Sequence, residues 1–302
     1  MRRVLWPWSF LLALPILGHA LVSCESNPEE PWRENPLDRH NPETGGIGIP
    51  RNFVYIEPGL FDMGSPTSEP HRSSNETQHW VRLTKGFFLS ETEVTQAEYE
   101  AVMGTNPSYF SGSNRPVERV SWYDAVAYCN ARSQTQGLTP AYTINRTSVT
   151  WNQSANGYRL PTESEWEYAC RAGTSTPFHT GSCLDADDEA NYDGDNPYSG
   201  CSSGVDRRQT TDVKTFGANA WGLYDMHGNV WEWCWDWYGT YPEGTQGSPA
   251  EDPTGSEAGS DRVRRGGGWD FSARYCRSAH RNLHSPGYGG SYVGFRLARS
   301  AD

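Results

Sequence analysis

Between Ala172 and Val263 the sequence shows almost no helical or strand periodicity. A stretch of this length without regular elements is uncommon inside a compact domain. Glycine and proline are frequent throughout, with 31 and 20 residues among 302, and this composition disfavours a helical bundle or a doubly wound sheet. The sequence therefore predicts a loop-rich fold that is stabilised by disulfides, bound ions or well-packed loops.

Three short segments, residues 95–103, 121–131 and 162–172, have the start signal of a capped helix. Each begins with a hydroxyl side chain that is followed three positions later by an acidic residue, a pattern that satisfies free N–H groups at a helix start. These pairs are Thr95 and Glu98, Ser121 and Asp124, and Thr162 and Glu165. In the second helix, the spacing of Val126, Cys129 and Asn130 predicts that they face inward.

Strands are predicted before and between these helices. Residues 53–56 and 60–64 flank a Pro-Gly turn and are predicted to form a hairpin, while residues 80–83 and 87–89 form a second pair. Strands and helices in this order indicate an α+β fold in one domain, residues 51–302. The 13 tryptophans and 16 tyrosines predict an aromatic, hydrogen-bonded core, because these side chains bury large areas and keep a polar group.

The N-terminus resembles an export signal. A basic start and a short apolar run predict a signal peptide over residues 1–23, and the run is too short for a stable membrane span. Residues 21–24 resemble a bacterial lipobox, so Cys24 is the expected lipidation site and would anchor the chain to a membrane of the cell envelope, on the periplasmic or outer-membrane side. Ordinary secretion is the alternative. Residues 24–50 are poor in aliphatic side chains and are predicted to be a flexible tether.

The formal net charge of −12 disfavours binding to nucleic acid or to anionic headgroups through a basic surface. It is compatible with a bound divalent metal. We expect a monomer without a nucleic-acid partner.

Six cysteines follow Cys24, and an exported compartment permits disulfides between them. Cys183 and Cys201 flank one polar excursion and are the first candidates for a pair; Cys234 and Cys276 are the second. The chain has no CxxC and no zinc-type spacing of cysteine and histidine, which argues against structural zinc.

Nine motifs, spread in order over residues 53–298, resemble the formylglycine-generating-enzyme (sulfatase-modifying factor) family. They are FDMGS (61–65), EVTQAEY (93–99), RPVE (115–118), VSW (120–122), RLPTESEWE (159–167), GLYDM (222–226), GNVWEW (228–233), RGGGW (265–269) and GFR (294–296). The resemblance implies a C-type-lectin-like fold with long loops.

The resemblance also implies calcium. In the family's pattern, a calcium ion is bound by residues that match Asp225, Gly228, Val230 and Glu232, through two carboxylates and two backbone carbonyls. The alternative is that the two carboxylates cap turns and pair with arginines. A second, weaker cation site matches at Asn191 and Tyr192, after which the sequence diverges.

The family's catalysis oxidises a substrate cysteine with oxygen and a copper ion held by two thiolates, a ligand set suited to soft Cu(I). The second thiolate matches Cys276, but the first matches Phe271, which cannot bind copper. Trp231 and Tyr275 match the family's catalytic pocket. Three further pocket positions depart from the pattern, namely Gly268, Ser272 and Tyr292.

Two functions therefore stay open. The chain is either a formylglycine-generating oxidase that acts on a substrate protein, or a divergent member with altered or lost copper chemistry that binds a peptide or another envelope ligand. In the second case Trp231, Trp269, Tyr275 and Tyr288 are candidates for the lining of a surface cleft. The missing sulfur ligand favours the divergent binding member.

Overall fold

The helices begin where the capping pattern places them. The computed structural model describes residues 50–301, and within them the helices are α1 (Gln96–Met103), α2 (Trp122–Thr135) and α3 (Glu163–Arg171). Each N-cap side chain accepts a hydrogen bond from the backbone three residues on, and each acidic partner accepts from the N-cap backbone, so all three capping boxes are confirmed. Helix α2 continues four residues past its predicted end.

Short strands form four separate sheets around these helices. The strands are β1 (Phe53–Ile56), β2 (Gly59–Met63), β3 (His79–Leu83), β4 (Phe87–Ser90), β5 (Tyr142–Asn145), β6 (Ser148–Trp151), β7 (Tyr158–Arg159), β8 (Trp231–Trp237), β9 (Ala250–Glu251), β10 (Arg262–Arg265), β11 (Asn282–His284), β12 (Val293–Gly294) and β13 (Ala298–Ser300). The sheets have the orders β1-β4-β13-β7, β11-β10-β8-β12, β2-β3-β9 and β5-β6. Together with the helices, these elements confirm the loop-rich α+β class.

The predicted pairing of the first four strands is wrong. Strand β1 pairs antiparallel with β4, and β2 pairs antiparallel with β3, so the second pair is nested between the strands of the first. The Pro58-Gly59 step moves the chain from one sheet to another, and Gly59 packs so closely on the Tyr168 ring that a Cβ would overlap it. A turn signal predicts a change of direction, but it does not determine which strand becomes the hydrogen-bonded neighbour.

Strand β8 lies inside the stretch in which almost no periodicity was recognised in the sequence. It reads WEWCWDW, so tryptophans alternate with Glu, Cys and Asp, but its first four residues and Asp236 are buried, and both faces of the strand are therefore covered. It occupies a central position, antiparallel to β10 and parallel to β12. This strand places Trp231 and Glu232 at the middle of the molecule.

The core is aromatic and hydrogen-bonded, as predicted. Trp122, Trp166 and Trp233 are completely buried, and each indole N–H has an acceptor. Trp122 donates to the Cys234 carbonyl at 2.9 Å, Trp166 to Glu232 Oε2 at 2.7 Å and Trp233 to the Val120 carbonyl at 3.0 Å. Such bonds remove the cost of burying a polar group.

One of the two predicted disulfides is present. Cys183 and Cys201 are bonded and close the polar excursion between them. The Cys234–Cys276 prediction is wrong, because both residues are free thiols. They lie in different apolar clusters, Cys234 with Trp166 and Val263, and Cys276 with Phe178 and Tyr192.

All described residues belong to one compact unit. None of their helices has the length and apolar character needed to cross a membrane. The predicted signal peptide (1–23), the lipidation site Cys24 and residues 24–49 of the predicted tether lie outside the described residues.

Candidate functional site

Five aromatic side chains converge beside the start of β8. Phe271 is at their centre, with ring centroids 5.5 Å from Trp231, 5.8 Å from Tyr275 and 5.0 Å from Tyr292. The hydroxyl of Tyr292 is hydrogen-bonded to that of Tyr288. We call these five residues, Trp231, Phe271, Tyr275, Tyr288 and Tyr292, the aromatic cluster.

The backbone fixes the cluster at two points. Trp231 donates its N–H to the Tyr292 carbonyl at 2.8 Å, which joins β8 to the segment before β12. A short 3-10 helix (Ala273–Tyr275) presents Tyr275. Of the predicted lining residues, Trp231, Tyr275 and Tyr288 are therefore brought together, whereas Trp269 stacks edge-on against Phe110 at 5.2 Å.

A buried arginine, which the sequence reading missed, lies against the cluster. The guanidinium carbon of Arg264 is 5.0 Å from the Trp231 ring centroid and 5.7 Å from that of Tyr292. Arg264 is only 5% exposed, and its Nε and Nη1 have no hydrogen-bond partner. Burial lowers its pKa from the usual range. The available signal was the alternation in β10, which places Arg262 and Arg264 on one face.

Two further polar groups next to the cluster lack partners. Trp231 Nε1 carries an unpaired N–H, and His280, whose ring is 5.8 Å from Trp231 and 5.1 Å from Tyr275, has an unpaired Nε2. The other ring nitrogen of His280 is 3.4 Å from Glu76 Oε1. Together with Arg264, the cluster therefore contains several buried polar groups that have no partner within the protein.

Cys276 is separated from these groups by its packing. Its side chain is fully buried in an apolar cluster with Phe178 and Tyr192, and Gly267 lies so close that a Cβ there would be 2.5 Å from the sulfur. Burial raises the pKa of the Cys276 thiol to about 12. A neutral thiol in this setting is a poor metal ligand.

The residues of this region do not fit a two-thiolate copper site. A phenyl ring stands at the first ligand position, and the thiol at the second is buried and protonated. Cys170 is also buried, with its sulfur 3.6 Å from Ser278 Oγ, and burial raises its pKa to about 12. No cysteine in residues 50–301 therefore supplies the missing thiolate.

The predicted calcium residues lie on two chain segments that are joined by backbone hydrogen bonds. Asn191 and Gly228 form a parallel bridge, and the Asn191 carbonyl accepts the N–H of Asn229 at 2.7 Å. Asp225 Oδ2 accepts the N–H of Lys214 at 2.9 Å. Asp225 Oδ1 and Asn191 Oδ1 are buried without a partner, as an oxygen-binding cation would require.

Unlike Asp225, Glu232 has hydrogen-bond partners on both carboxylate oxygens. Its Oε1 accepts from Arg296 Nη2 at 2.7 Å, and its Oε2 accepts from Arg296 Nε at 2.6 Å and from Trp166. Asp225 and Asn191 thus keep free oxygens of the kind that a hard cation binds, while the carboxylate of Glu232 pairs with Arg296. The ion pair, which is the alternative considered for Glu232, is present, and the calcium role of Glu232 stays a prediction. Val230 and Tyr192, whose backbone carbonyls are the predicted ligands, are both buried. The Tyr192 hydroxyl donates to the Leu184 carbonyl at 2.8 Å.

Glu93 is an acidic residue of this region that the sequence reading missed. It is completely buried, and neither of its carboxylate oxygens has a hydrogen-bond partner. Its pKa is raised well above the usual range by burial and by the nearby carboxyl groups of Asp225 and Glu232. Burial also raises the pKa of Asp225, to about 6. Three carboxyl groups therefore lie near one buried cation, Arg296, and a second cation bound there would favour their charged forms.

Comparison with known proteins gives consistent matches. The model of the sulfatase-modifying factor enzyme 1-like domain matches residues 48–301. "Chaperone protein LppX" of Paenibacillus barcinonensis is 35% identical over 280 residues, which cover 85% of this chain and 92% of the relative. The formylglycine-generating enzyme of Streptomyces coelicolor is 32% identical over 303 residues, covering 86% and 94%. Treponema denticola variable protein 1, a solved structure, superposes with a TM-score of 0.69 at 35% identity, covering 82% and 94%.

Proposed function

The chain belongs to the family of sulfatase-modifying factor enzyme 1-like domains, and we propose that it is a copper-independent binding member of that family. In this proposal the aromatic cluster holds a segment of a partner protein in the cell envelope. The chain matches the family's domain over residues 48–301, so the scaffold that presents the cluster is retained. The change lies in the side chains that surround Phe271.

One observation carries the proposal: the Phe271 ring packs on Trp231, Tyr275 and Tyr292 where a first thiolate would be needed. Copper chemistry requires two sulfur ligands, and an aromatic ring supplies none. The same ring adds apolar area to the cluster. Clustered aromatic residues flanked by an arginine are typical of surfaces that contribute most to protein binding.

The free donors beside the cluster indicate what the bound segment offers. Arg264 Nε, Arg264 Nη1 and Trp231 Nε1 are N–H groups without acceptors, and all three are buried. In the proposal the cluster opens when the segment binds, so that peptide carbonyl or carboxylate oxygens reach these groups and side chains pack on the aromatic rings. The relative named as a chaperone supports a role in which this chain binds other exported proteins. Lipidation at Cys24 would hold the module at the membrane surface.

The absence of copper chemistry is tested by titrating the purified full chain with Cu(I) anaerobically against a chromophoric chelator. We expect no stoichiometric retention, and no oxygen uptake with a synthetic cysteine peptide. Phe271→Cys adds one thiol at the first ligand position and serves as the matched control for metal loading. Wild-type protein that retains one Cu(I) and converts the peptide cysteine to an aldehyde overturns the proposal in favour of the oxidase.

Binding is tested with reduced, unfolded lysozyme as the probe. Stoichiometric wild-type protein is expected to suppress its aggregation, measured by light scattering. Tyr275→Ala and Arg264→Gln should weaken suppression several-fold, while Ile144→Ala, which alters an exposed apolar residue on the β5-β6 hairpin, should have no effect. Equal suppression by all four proteins, each checked for a native circular dichroism spectrum, rules out the aromatic cluster as the binding site.

A further inference from the structure

A wide pocket opens between the loop that precedes β3 and the loop that follows β8. Its volume is ≈ 700 Å³, which lies in the range of sites for small molecules and short peptide segments. Thr77 and Gln78 line one side, and Tyr238, Pro242 and Glu243 line the other. No residue of the aromatic cluster lines this pocket, so a ligand bound here is separate from the segment proposed to bind there.

Glu243 carries the accessible charge of the pocket. Besides two tyrosines, the described lining contains three ionisable residues, His79, Glu243 and Arg281. His79 and Arg281 are each only 5% exposed, whereas Glu243 is exposed. Within the part of the chain that the structure describes, Glu243 has no hydrogen-bond or ion-pair partner. A ligand that enters the pocket therefore meets an unpaired carboxylate.

Arg281 does not give the pocket a free positive charge. Its Nε and Nη2 donate to the two carboxylate oxygens of Glu163 at 2.8 and 2.7 Å, and both residues are buried. Its Nη1 donates to the Gly239 carbonyl at 2.9 Å and to the Asn75 carbonyl at 3.3 Å. In a bidentate pair of this kind, one carboxylate balances the guanidinium charge. The net charge that the lining presents to a ligand is therefore negative.

Gln78 supplies a neutral acceptor on the other side of the pocket. This residue is exposed, and its Nε2 donates to Asp62 Oδ2 at 2.8 Å. A carboxylate oxygen only accepts, so this bond identifies the amide nitrogen and leaves Oε1 as the acceptor for a ligand. Asp62 adds a second carboxylate next to the pocket. Both residues favour a ligand that donates hydrogen bonds and carries positive charge.

The tyrosine side of the pocket offers contact to methylene groups. Tyr238 is half-buried and Pro242 is exposed, so both rings keep surface that a ligand can cover. The Arg281 guanidinium lies over the Tyr238 ring, 4.7 Å from its centroid, and one face of this ring therefore already has a cation. An alkyl chain with a terminal ammonium combines an apolar stem with a charged end. Such a chain matches a wall of ring surface that is followed directly by the Glu243 carboxylate.

We propose that this pocket binds alkylammonium groups, as carried by the lysine side chains of a protein or by a free polyamine. One ammonium donates to the Glu243 carboxylate, and a second N–H group of the same ligand donates to Gln78 Oε1. The methylene stem lies along Tyr238 and Pro242. The formal net charge of −12 attracts such a ligand from a distance. This binding is independent of the function proposed for the aromatic cluster.

The acidic residues of the disulfide-closed excursion are the competing place for a polycation. Their charges are partly compensated, because Asp185 Oδ1 accepts the Asp187 N–H and Asp187 Oδ1 accepts the Val205 N–H, both at 2.7 Å. Arg207 also donates to the Asp187 carbonyl at 3.0 Å, which places a cation beside them. Glu243 has no such compensation, so the pocket is the stronger candidate.

The test measures binding to the full chain by isothermal calorimetry at about 20 mM salt, where exposed charges are weakly screened. The ligands are spermidine and the end-blocked peptide Lys-Lys-Lys, with end-blocked Gln-Gln-Gln as the neutral comparator. At least one cationic ligand should bind with a dissociation constant below about 1 mM. Tighter binding of spermidine identifies a free polyamine as the ligand, and tighter binding of the lysine peptide identifies a protein. Raising the salt to about 0.5 M should weaken the binding at least tenfold.

Charge reversal at the pocket provides the decisive comparison. Glu243→Lys should weaken the binding at least tenfold, because it replaces attraction with repulsion. Glu100→Lys changes the net charge equally at an exposed position of α1 that does not line the pocket, and it should change the affinity less than twofold. In the wild type, the ligand should shift the backbone amide resonances of residues 74–79 and 238–245. Equal melting temperatures of the three proteins establish that the variants are folded.

Four results overturn the proposal. The first is the failure of both cationic ligands to bind at ten times the stated limit, and the second is equal affinity for the glutamine peptide. The third is an equal loss of affinity in Glu243→Lys and Glu100→Lys, which assigns the binding to overall charge. The fourth is a set of shifted resonances confined to residues 185–195, which places the cation on the acidic excursion.

Discussion

Arg296 and Glu232 form a bidentate ion pair in which both side chains are completely buried. The two residues belong to the GFR and GNVWEW motifs, 64 positions apart, and Trp166 of α3 donates to the same carboxylate. Arg296 also donates to the Tyr224 carbonyl at 2.9 Å. This pair therefore ties β8, α3 and the C-terminal segment together.

Arg296→Met should destabilise the fold by about 3–5 kcal/mol, because it leaves the Glu232 carboxylate buried without its counterion. The free energy of unfolding in urea measures this effect. Adding Glu232→Gln to Arg296→Met should recover part of the loss, since the uncompensated charge is then gone. A single variant that loses less than about 1 kcal/mol would show that the pair contributes no more than an exposed one.

Calcium should raise the melting temperature of the wild-type chain, and a chelator should reverse the effect. A ligand present at 100 times its dissociation constant stabilises by about 2.7 kcal/mol. Asp225→Asn is expected to abolish most of this shift, because it removes a buried carboxylate with a free oxygen. Glu257→Gln, which changes an exposed surface carboxylate, is the control. A calcium shift that persists in Asp225→Asn places the ion elsewhere.

Glu118→Gln should stabilise the fold above pH 7. Burial raises the pKa of Glu118 to about 7. Hydrogen bonds from the backbone N–H groups of Phe110 and Tyr109 favour the charged form and offset part of this rise. Between the ordinary value of 4.5 and 7 the unfolded chain loses this proton while the folded chain keeps it, so wild-type stability falls as the pH rises. The difference in unfolding free energy between Glu118→Gln and the wild type should reach at most about 3 kcal/mol.

The measurement is the unfolding free energy of both proteins between pH 4.5 and 8. Their difference should grow across this interval and level off above pH 7. If the unfolding free energies of the two proteins instead change with pH in parallel, the pKa of Glu118 is not raised in the folded state.

Cys183→Ser together with Cys201→Ser should lower the stability by about 3 kcal/mol, the entropic value for a loop of this length. The bond closes a sequence separation of 18 residues within the irregular region. Thermal unfolding in the absence of reductant measures the change, and adding reductant to the wild type should reproduce it. An unchanged melting temperature in the double variant would show that packing alone holds this excursion.

The thiols of Cys129, Cys170, Cys234 and Cys276 should not react with an aromatic disulfide reagent in the folded chain at pH 8. All four are buried, and burial raises the pKa of Cys170 and of Cys276 to about 12. Unfolding in guanidinium should expose them to rapid reaction. Fast modification of Cys276 in the native protein would contradict its assignment as a packing residue and reopen a role for it in catalysis.

Local chemistry allowed the helices to be predicted, because a capping box is decided by residues three positions apart. Thr95, Ser121 and Thr162 each cap the helix that the sequence indicates. Strand pairing depends on residues that are distant in the sequence. No local sequence pattern indicates that the pair β2-β3 is nested between β1 and β4. Strand β8 escaped detection because tryptophans alternate with residues that are themselves buried.

The residues of the candidate site also fall into those that the sequence predicts and those that it does not. The aromatic residues Trp231 and Tyr275 were identified from motif positions, and the structure brings them together around Phe271. Arg264, His280 and Glu93 were missed as site residues, because their significance comes from lacking a partner, and a missing partner is visible only when the surroundings are known. The Cys183–Cys201 disulfide could be predicted from the sequence because the two residues flank one short loop.

The buried ion pairs span much of the chain: Arg277 binds Glu69 and Glu76, more than 200 positions away. Neither early carboxylate gains its counterion until nearly the whole domain has been synthesised. Contacts of such separation make folding slow and concerted. A chain cut shortly before Arg277 would therefore expose unpaired acids and unfilled β10 and β8 edges, so no amino-terminal fragment of this domain is expected to persist as a folded intermediate.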